Sequence, residues 1–253
     1  MMQRRQKLKI YQELSCFSAT FKTIYYNIRK KKFEREAYVL NKFIHFGSVC
    51  FDIGAAYGKY TLTMSKLAGN TGHIYSFEPG NYSYKVLSNI VKFHRLENVT
   101  LVKKALSDKT GAANLAVPIK GSGKLGKGLA YLCSSFDSNV IFEKVEAVTL
   151  DEYCSGKNIP NIDFIKCDVE GAELLVFRGA KHCIEHYNPT ILCEVNIEFL
   201  LNRFNSTPSQ IYDFFNQRDY KAFFLKDNKF ECVSSIIEKR NYFFIHNSKL
   251  KVI

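Results

Sequence analysis

The sequence predicts an α/β protein: a mostly parallel sheet with helices on both faces and antiparallel strands added at one edge. Three observations carry this. From about residue 46, short apolar runs alternate with amphipathic stretches of helical period, the pattern of strand–helix–strand units. These runs are apolar on both faces, as strands buried between two helical layers are. The chain then closes on YKAFFLKD, KFECV and NYFFIH, separated by polar turns, which read as antiparallel strands.

The elements follow in order. Residues 1–45 hold eleven Lys and Arg against three Glu, so this arm carries +8 of the total +12, and residues 46–253 carry only +4. Within the arm, Leu14, Phe17, Phe21, Ile24 and Ile28 recur at three- and four-residue steps, one apolar stripe on a helix. Such a basic helical arm either packs on the main domain or meets an anionic membrane surface or another partner. The boundary is set at 45/46. The main domain opens with the strand SVCFDIG, the helix TLTMSKLA and the strand HIYSFEP. Next come the long amphipathic helix YSYKVLSNIVKFHRL and the strand VTLVKKAL. Residues 111–150 hold short β-like runs with a Gly-rich interruption at 121–128. NIDFIKCDVEG is a strand leading into one helix, AELLVFRGAKHCIEHY. TILCEVN is a strand, IYDFFNQRD a helix, and the three β-like runs complete the chain.

Composition excludes several classes. At 46% apolar and 24% charged, the chain is neither mainly disordered nor a small disulfide scaffold. No apolar run reaches the roughly 18 residues of a membrane span, and the N-terminus lacks the apolar core of a secretory signal. The eight cysteines form no C-x-x-C pair. A reducing, cytoplasmic setting is the expectation.

In a parallel sheet with helices on both faces, ligands bind beyond the carboxyl ends of the strands. The residues at those tips are therefore the candidates. The first strand runs into Asp52-Ile53-Gly54-Ala55-Ala56-Tyr57-Gly58, whose glycines permit positive φ and a close approach of ligand to backbone. A dinucleotide fingerprint is not there, because Ala56 stands where the second glycine belongs. The second strand ends Glu78-Pro79, with Glu78 twenty-four residues past Gly54, where a carboxylate can accept ribose hydroxyls. Together these suit a nucleoside cofactor without a pyrophosphate, and S-adenosylmethionine fits. Ala105 and Leu106 lie near the third tip, Asp168, Val169 and Glu170 at the fourth, and Glu194 at the fifth.

FDIGAAYGKYT, YSFEP, VTLDEY and above all IDFIKCDVEGAELLVFRGA resemble the FkbM-type family of S-adenosylmethionine-dependent methyltransferases, over roughly residues 30–200. The resemblance implies a class I methyltransferase (Rossmann-like) fold with a seven-stranded sheet and a C-terminal antiparallel hairpin. It also implies transfer of a methyl group to a hydroxyl of a small molecule such as a sugar, glycolipid or natural product. By resemblance, residues 52–58 line the cofactor, Glu78 holds its ribose, and Ala105 and Leu106 lie near the adenine. Asp168 and Glu170 then edge its methionine end and the acceptor pocket. An alcohol acceptor must lose a proton, which calls for a general base. Asp168, Glu170 and Glu194 are the candidates, in that order. Strand alternation would point Asp168 and Glu170 to the same side. No metal is assigned, since nothing in the spacing demands one.

Two rival functions are a nucleic-acid methyltransferase, which the basic arm would suit, and a module that binds the cofactor without turnover. The base-amine signature Asp/Asn-Pro-Pro-Tyr is absent and the charge avoids the catalytic half, so no nucleic-acid partner is expected. Two motifs are set aside. His182, Glu185 and His186 match H-x-x-E-H but sit on a helix leading away from the strand tips. Residues 121–128 nearly spell a phosphate loop, but Gly128 replaces its Ser or Thr and Pro118 argues against a central strand before it. That segment is expected to be a mobile loop near the acceptor.

Overall fold

The computed structural model describes residues 15–25, 35–119, 130–133 and 140–253. The Gly-rich run 121–128 therefore lies outside the described residues, as do Leu14 and Ile28 of the arm stripe.

The main sheet forms around β1 (Val49–Ile53), β2 (His73–Phe77), β3 (Val99–Val102), β8 (Phe164–Cys167) and β9 (Thr190–Val195), all parallel. Beyond β9 lie β12 (Arg240–His246), β10 (Tyr220–Lys226) and β11 (Lys229–Val233), each antiparallel to its neighbour. The order is β11-β10-β12-β9-β8-β1-β2-β3. Eight strands thus stand where seven were expected, because KFECV folds back on YKAFFLKD in a tight hairpin and adds an edge strand. The chain winds from β1 to β3 in one direction and returns on the other side of β1 as β8 and β9. That reversal is the topological switch point at which ligands of such folds bind.

A second sheet, β4-β7-β5-β6, was not foreseen. It comprises β4 (Ala105–Leu106), β5 (Gly111–Pro118), β6 (Tyr131–Cys133) and β7 (Val140–Val148). VTLVKKAL is therefore two strands: β3 ends at Val102, and Ala105 and Leu106 pair instead with Ala147 and Val148. Pro118 does lie in a strand that is central by order. It is the last residue of β5, however, where β7 alone pairs, since β6 reaches only Asn114 to Ala116.

The helices are α1 (residues 15–25), α2 (Lys59–Ala68), α3 (Asn81–Phe93), α4 (Leu150–Lys157), α5 (Glu173–Arg178), α6 (Lys181–Tyr187), α7 (Ile197–Phe204) and α8 (Pro208–Asn216). AELLVFRGAKHCIEHY divides into α5 and α6 at Gly179, where a Cβ would stand 2.0 Å from the Ser107 carbonyl oxygen. Only glycine allows that contact with the second sheet's connection. Two apolar layers flank the main sheet: one around Phe51, Phe77, Phe177 and Phe215, the other around Leu40, Phe43, Met64 and Phe243. Ala37, Val39 and Ile44 join the second layer, so the chain enters the core before residue 46.

The arm stripe is displaced from its expected face. In α1, Cys16, Thr20 and Ile24 are buried, while Phe17 and Phe21 are 61% and 55% exposed. The inward face meets Val86 and Ile90 of α3. Polar bonds set the register: the Tyr82 hydroxyl donates to the Ser15 carbonyl at 2.9 Å, and Asn89 donates to the Thr20 hydroxyl at 3.3 Å. Among the described residues, no helix is long and apolar enough to cross a membrane.

Candidate functional site

The pairing registers bring the strand tips level. Ile53 stands beside Phe77 and Cys167, Phe77 beside Val102, and Cys167 beside Cys193. The next residue of each strand, Gly54, Glu78, Asp168 and Glu194, therefore falls on one rim. Backbone bonds fix it: Gly54 and Ala55 N–H donate to the Phe77 carbonyl at 3.0 and 2.9 Å, and Asp168 N–H to the Ile53 carbonyl at 3.0 Å. Gly54 is required here, with φ +76° and a virtual Cβ only 1.8 Å from the Asp168 carbonyl oxygen. Ala56 takes φ +46°, a left-handed conformation that costs a non-glycine residue energy and marks a held loop.

A concave cavity, open to solvent, lies at this rim, at the strand ends where ligands of such folds bind. Of the candidates, Gly54, Ala56, Glu78, Pro79, Ala105, Leu106, Asp168, Val169 and Glu170 line it. Asp52, Ala55, Tyr57, Gly58 and Glu194 are not among its lining. Asp52 is buried beneath the loop, where its Oδ2 accepts the Thr61 hydroxyl at 2.5 Å. Burial pushes its pKa up to about 6, against the Thr61 bond and the Lys166 charge. Gly58 takes φ +76° and starts α2. Tyr57 packs edge-on against Tyr82 of α3, ring centroids 6.4 Å apart.

Glu78 is buried in the cavity wall. Its Oε2 accepts Ala56 N–H and its Oε1 accepts Gly80 N–H, each at 2.9 Å. Burial raises its pKa to about 7, opposed by those two donors. Each oxygen retains a lone pair for a further donor.

The fourth tip differs from expectation in its geometry. β8 ends at Cys167, and Glu170 sits in a turn with φ +58°. Strand alternation does not reach it, yet the turn returns its side chain to the cavity beside Asp168. Asp168 Oδ2 lies 3.6 Å from Nζ of the buried Lys166. Burial works against the Lys166 charge, but Asp168 and then other neighbours, Glu194 among them, outweigh it and raise its pKa. Glu170 Oε2 lies 3.8 Å from Arg203, whose Nη1 donates to the Glu170 carbonyl at 2.8 Å. Burial first, then Asp168, lifts Glu170 to about 6 against the Arg203 charge. Glu194, 4.0 Å from Lys239, is raised to about 7 by burial and Asp168.

Several participants were not singled out in the sequence. Lys166 reads as an oddity in an apolar strand, and a buried lysine beside a carboxylate is the signal that would have found it. Glu173 accepts Val169 and Gly171 N–H on Oε1 at 3.2 and 3.0 Å, which shapes the turn, while its buried Oε2 has no partner. Leu115, Tyr131 and Leu132 of the second sheet, with Ala130 just before β6, close the far wall. Arg203 lies 3.7 Å over the Tyr131 ring and 3.6 Å over Phe199, joining that wall to α7. No local motif announces such contacts.

His182 and His186 stack on α6, and Glu185 lies 3.0 Å from Arg218 Nε. Among the described residues no group of three or more His, Cys, Asp or Glu is placed to hold a metal ion.

The wall chemistry fits a cationic nucleoside. Ile53, Phe77, Leu106, Leu115 and Leu132 supply apolar surface for a base. Glu78 supplies hydroxyl acceptors, and Asp168 and Glu170 supply negative charge against Lys104, the one lysine among the described residues of the lining.

The family model described as Methyltransferase FkbM domain matches residues 52–222. Solved structures with a similar fold include a methyltransferase FkbM from Methylobacillus flagellatus KT, at 14% identity and TM-score 0.48 over 81% of this chain. The chain spans 47% of that protein's length. A SAM-dependent O-methyltransferase from Thermotoga maritima aligns at 10% identity and TM-score 0.45, over 84% of this chain and 64% of that one. Aeropyrum pernix fibrillarin, solved with natively bound S-adenosyl-L-methionine, aligns at 13% identity and TM-score 0.46, over 83% and 72%. No curated protein matches the sequence significantly.

Proposed function

Since this chain belongs to the FkbM methyltransferase domain family, we propose that it transfers the methyl group of S-adenosylmethionine to a hydroxyl oxygen of a small, sugar-containing acceptor. The observation that carries the reading is the placement of Glu78, Asp168 and Glu170 around one cavity at the switch point. When bound, the cofactor supplies a methyl group already activated on a sulfonium. The protein's task is then to hold, align and deprotonate.

Glu78 takes the ribose hydroxyls on the lone pairs that Ala56 and Gly80 leave open. Asp168, backed by Lys166, is the carboxylate for the cofactor's ammonium end. Glu170 is the proton acceptor. Its pKa of about 6 leaves it mostly ionised at neutral pH while still basic enough to take a proton. This ranks Glu170 ahead of Asp168, reversing the order drawn from the sequence: Asp168 faces the buried Lys166, whereas the Arg203 beside Glu170 is also engaged by the Glu170 carbonyl and the Tyr131 and Phe199 rings. Glu194, outside the cavity lining, tunes the cluster. The acidic rim speaks against a polyanionic acceptor, and the resemblance to O-methylating relatives supports an oxygen acceptor.

The test is methyl transfer from labelled cofactor to a panel of hydroxylated sugars, glycolipids and polyketides. With an acceptor in hand, Glu170→Gln should lower kcat by roughly 10²–10⁴ and leave S-adenosylhomocysteine affinity within a few fold. Asp168→Asn should weaken cofactor binding and turnover together. Full activity in Glu170→Gln removes it as the base, and failure of S-adenosylhomocysteine to bind the wild type removes the reading.

A further inference from the structure

We propose that α1 is a docking helix that seats this protein on an anionic lipid surface. Its inward stripe of Cys16, Thr20 and Ile24 is already spent on α3. The outward stripe is a separate feature. Phe17, Phe21 and Tyr25, spaced by four residues, are 61%, 55% and 51% exposed, and the two Phe rings pack on each other with centroids 4.7 Å apart. An aromatic ridge facing water marks an interaction site more than a chance surface residue.

The charge around the ridge names the partner. The described residues of α1 and α3 carry Lys22, Lys85 and Lys92 and no acidic residue. Phe93, one turn past the Asn89 that bonds Thr20, is also 56% exposed. The flanking sequence is net basic: residues 1–14 hold four Lys and Arg against Glu13, and residues 26–34 hold four against Glu34. Exposed aromatic rings on a helix of net positive charge are the chemistry of an interfacial helix. Basic residues near an anionic leaflet add attraction that salt screens. Nucleic acid also takes aromatic and basic residues, but it uses rings presented separately along a groove for stacking. Here Phe17 and Phe21 pack on one another along one face of a helix.

The placement links docking to the cavity. Tyr82 bonds Ser15 of α1 and packs on Tyr57 of the loop that begins at the cavity wall, and Ser83 lines the cavity itself. A protein seated by α1 thus holds its cavity one residue layer from the docking helix, which suits an acceptor carried on the membrane. That last clause rests on the proposed methyl transfer; the docking does not.

The experiment is sedimentation of the full chain with phosphatidylcholine vesicles containing one quarter phosphatidylserine, and with pure phosphatidylcholine vesicles, at about 0.1 and 0.5 M salt. Binding is expected only to the anionic vesicles, with release at the higher salt. The double variant F17S/F21S should lose at least about tenfold in binding, with its circular dichroism and S-adenosylhomocysteine affinity unchanged. No binding by the wild type, or equal binding by the variant, overturns the proposal. So does a dimer that F17S/F21S dissolves, which would make a second copy the occupant. Retention of a single-stranded RNA that F17S/F21S abolishes, without vesicle binding, would overturn it in favour of nucleic acid.

Discussion

Glu78 shows how one buried carboxylate can serve fold and ligand together. Removing a charge from water is costly, and the cost appears as a pKa lifted to about 7 by burial. The two backbone N–H donors from Ala56 and Gly80 recover part of that cost and aim the group. Glu78→Ala removes the acceptor and leaves both donors unpaired, so it should act on the loop and on the ligand. S-adenosylhomocysteine binding should weaken by roughly 1.5–3 kcal/mol per charge-assisted bond lost, as read by calorimetry, while NAD should bind neither form. An unchanged affinity for S-adenosylhomocysteine would show that the ribose is held elsewhere. Glu170 makes the contrasting case. Its backbone at φ +58° is maintained by Arg203, which holds its carbonyl, and by Glu173, which holds the next N–H.

At the scale of elements, much was legible in the sequence because each strand had to bury both faces. The apolar runs of β1, β2, β8 and β9 stand where the sequence put them, and Gly54, Glu78 and Asp168 end them. What escaped was set by distant contacts. α5 gives way to α6 at Gly179, which lies against the Ser107 carbonyl, and the pairing of Ala105 with Ala147 pulls β4 into the second sheet. The α1 stripe escaped because Cys16 and Thr20, small residues that the Leu, Phe and Ile spacing passes over, are the residues that α3 accepts. That packing sets an expectation for a chain lacking residues 1–30. Burying an Ile-sized side chain is worth about 1.5–3 kcal/mol, and the deletion removes Ile24 while baring Val86 and Ile90. The truncated protein should remain folded and bind S-adenosylhomocysteine, with a melting temperature several degrees lower. An unchanged melting temperature would mean that α1 does not pack on α3 in solution.

Over the whole molecule, the second sheet does what no single motif shows: it turns an open rim into a cavity by laying Leu115, Tyr131 and Leu132 opposite the strand tips. Closing that wall helps to bury Glu78 and Glu170, and these share their response to pH with Asp52, Glu173 and Glu194, buried around the cavity's supports. Asp52 and Glu170 sit at about 6, and Glu78, Glu173 and Glu194 at about 7, with burial the first cause in each. A carboxyl raised on folding keeps its proton in the folded chain at a pH where the unfolded chain, near 4.5 for Glu and 3.8 for Asp, has released it. The folded state therefore binds more protons through this window, and stability falls as pH rises from about 4.5 to about 7. Their contribution is complete below the unfolded values and lost above the folded ones. His73 and His94, lowered by burial, act in the opposite sense as pH falls, but five carboxyls outweigh two imidazoles. The ligand-free protein should thus melt higher near pH 5.5 than near pH 8, by an amount that scales as roughly 2–4 °C per kcal/mol in a chain of this size. Glu173→Gln isolates one contributor and cancels the histidines by difference. Its Oε2 has no partner to lose, and glutamine keeps an oxygen for the Val169 and Gly171 N–H groups without carrying the charge. The variant should be more stable than the wild type near pH 8, and that gain should vanish near pH 5.5 as Glu173 takes up its proton. Calorimetric melts of both proteins across this range decide it: two parallel curves would mean that Glu173 is not forced to ionise in the folded chain as the pH rises.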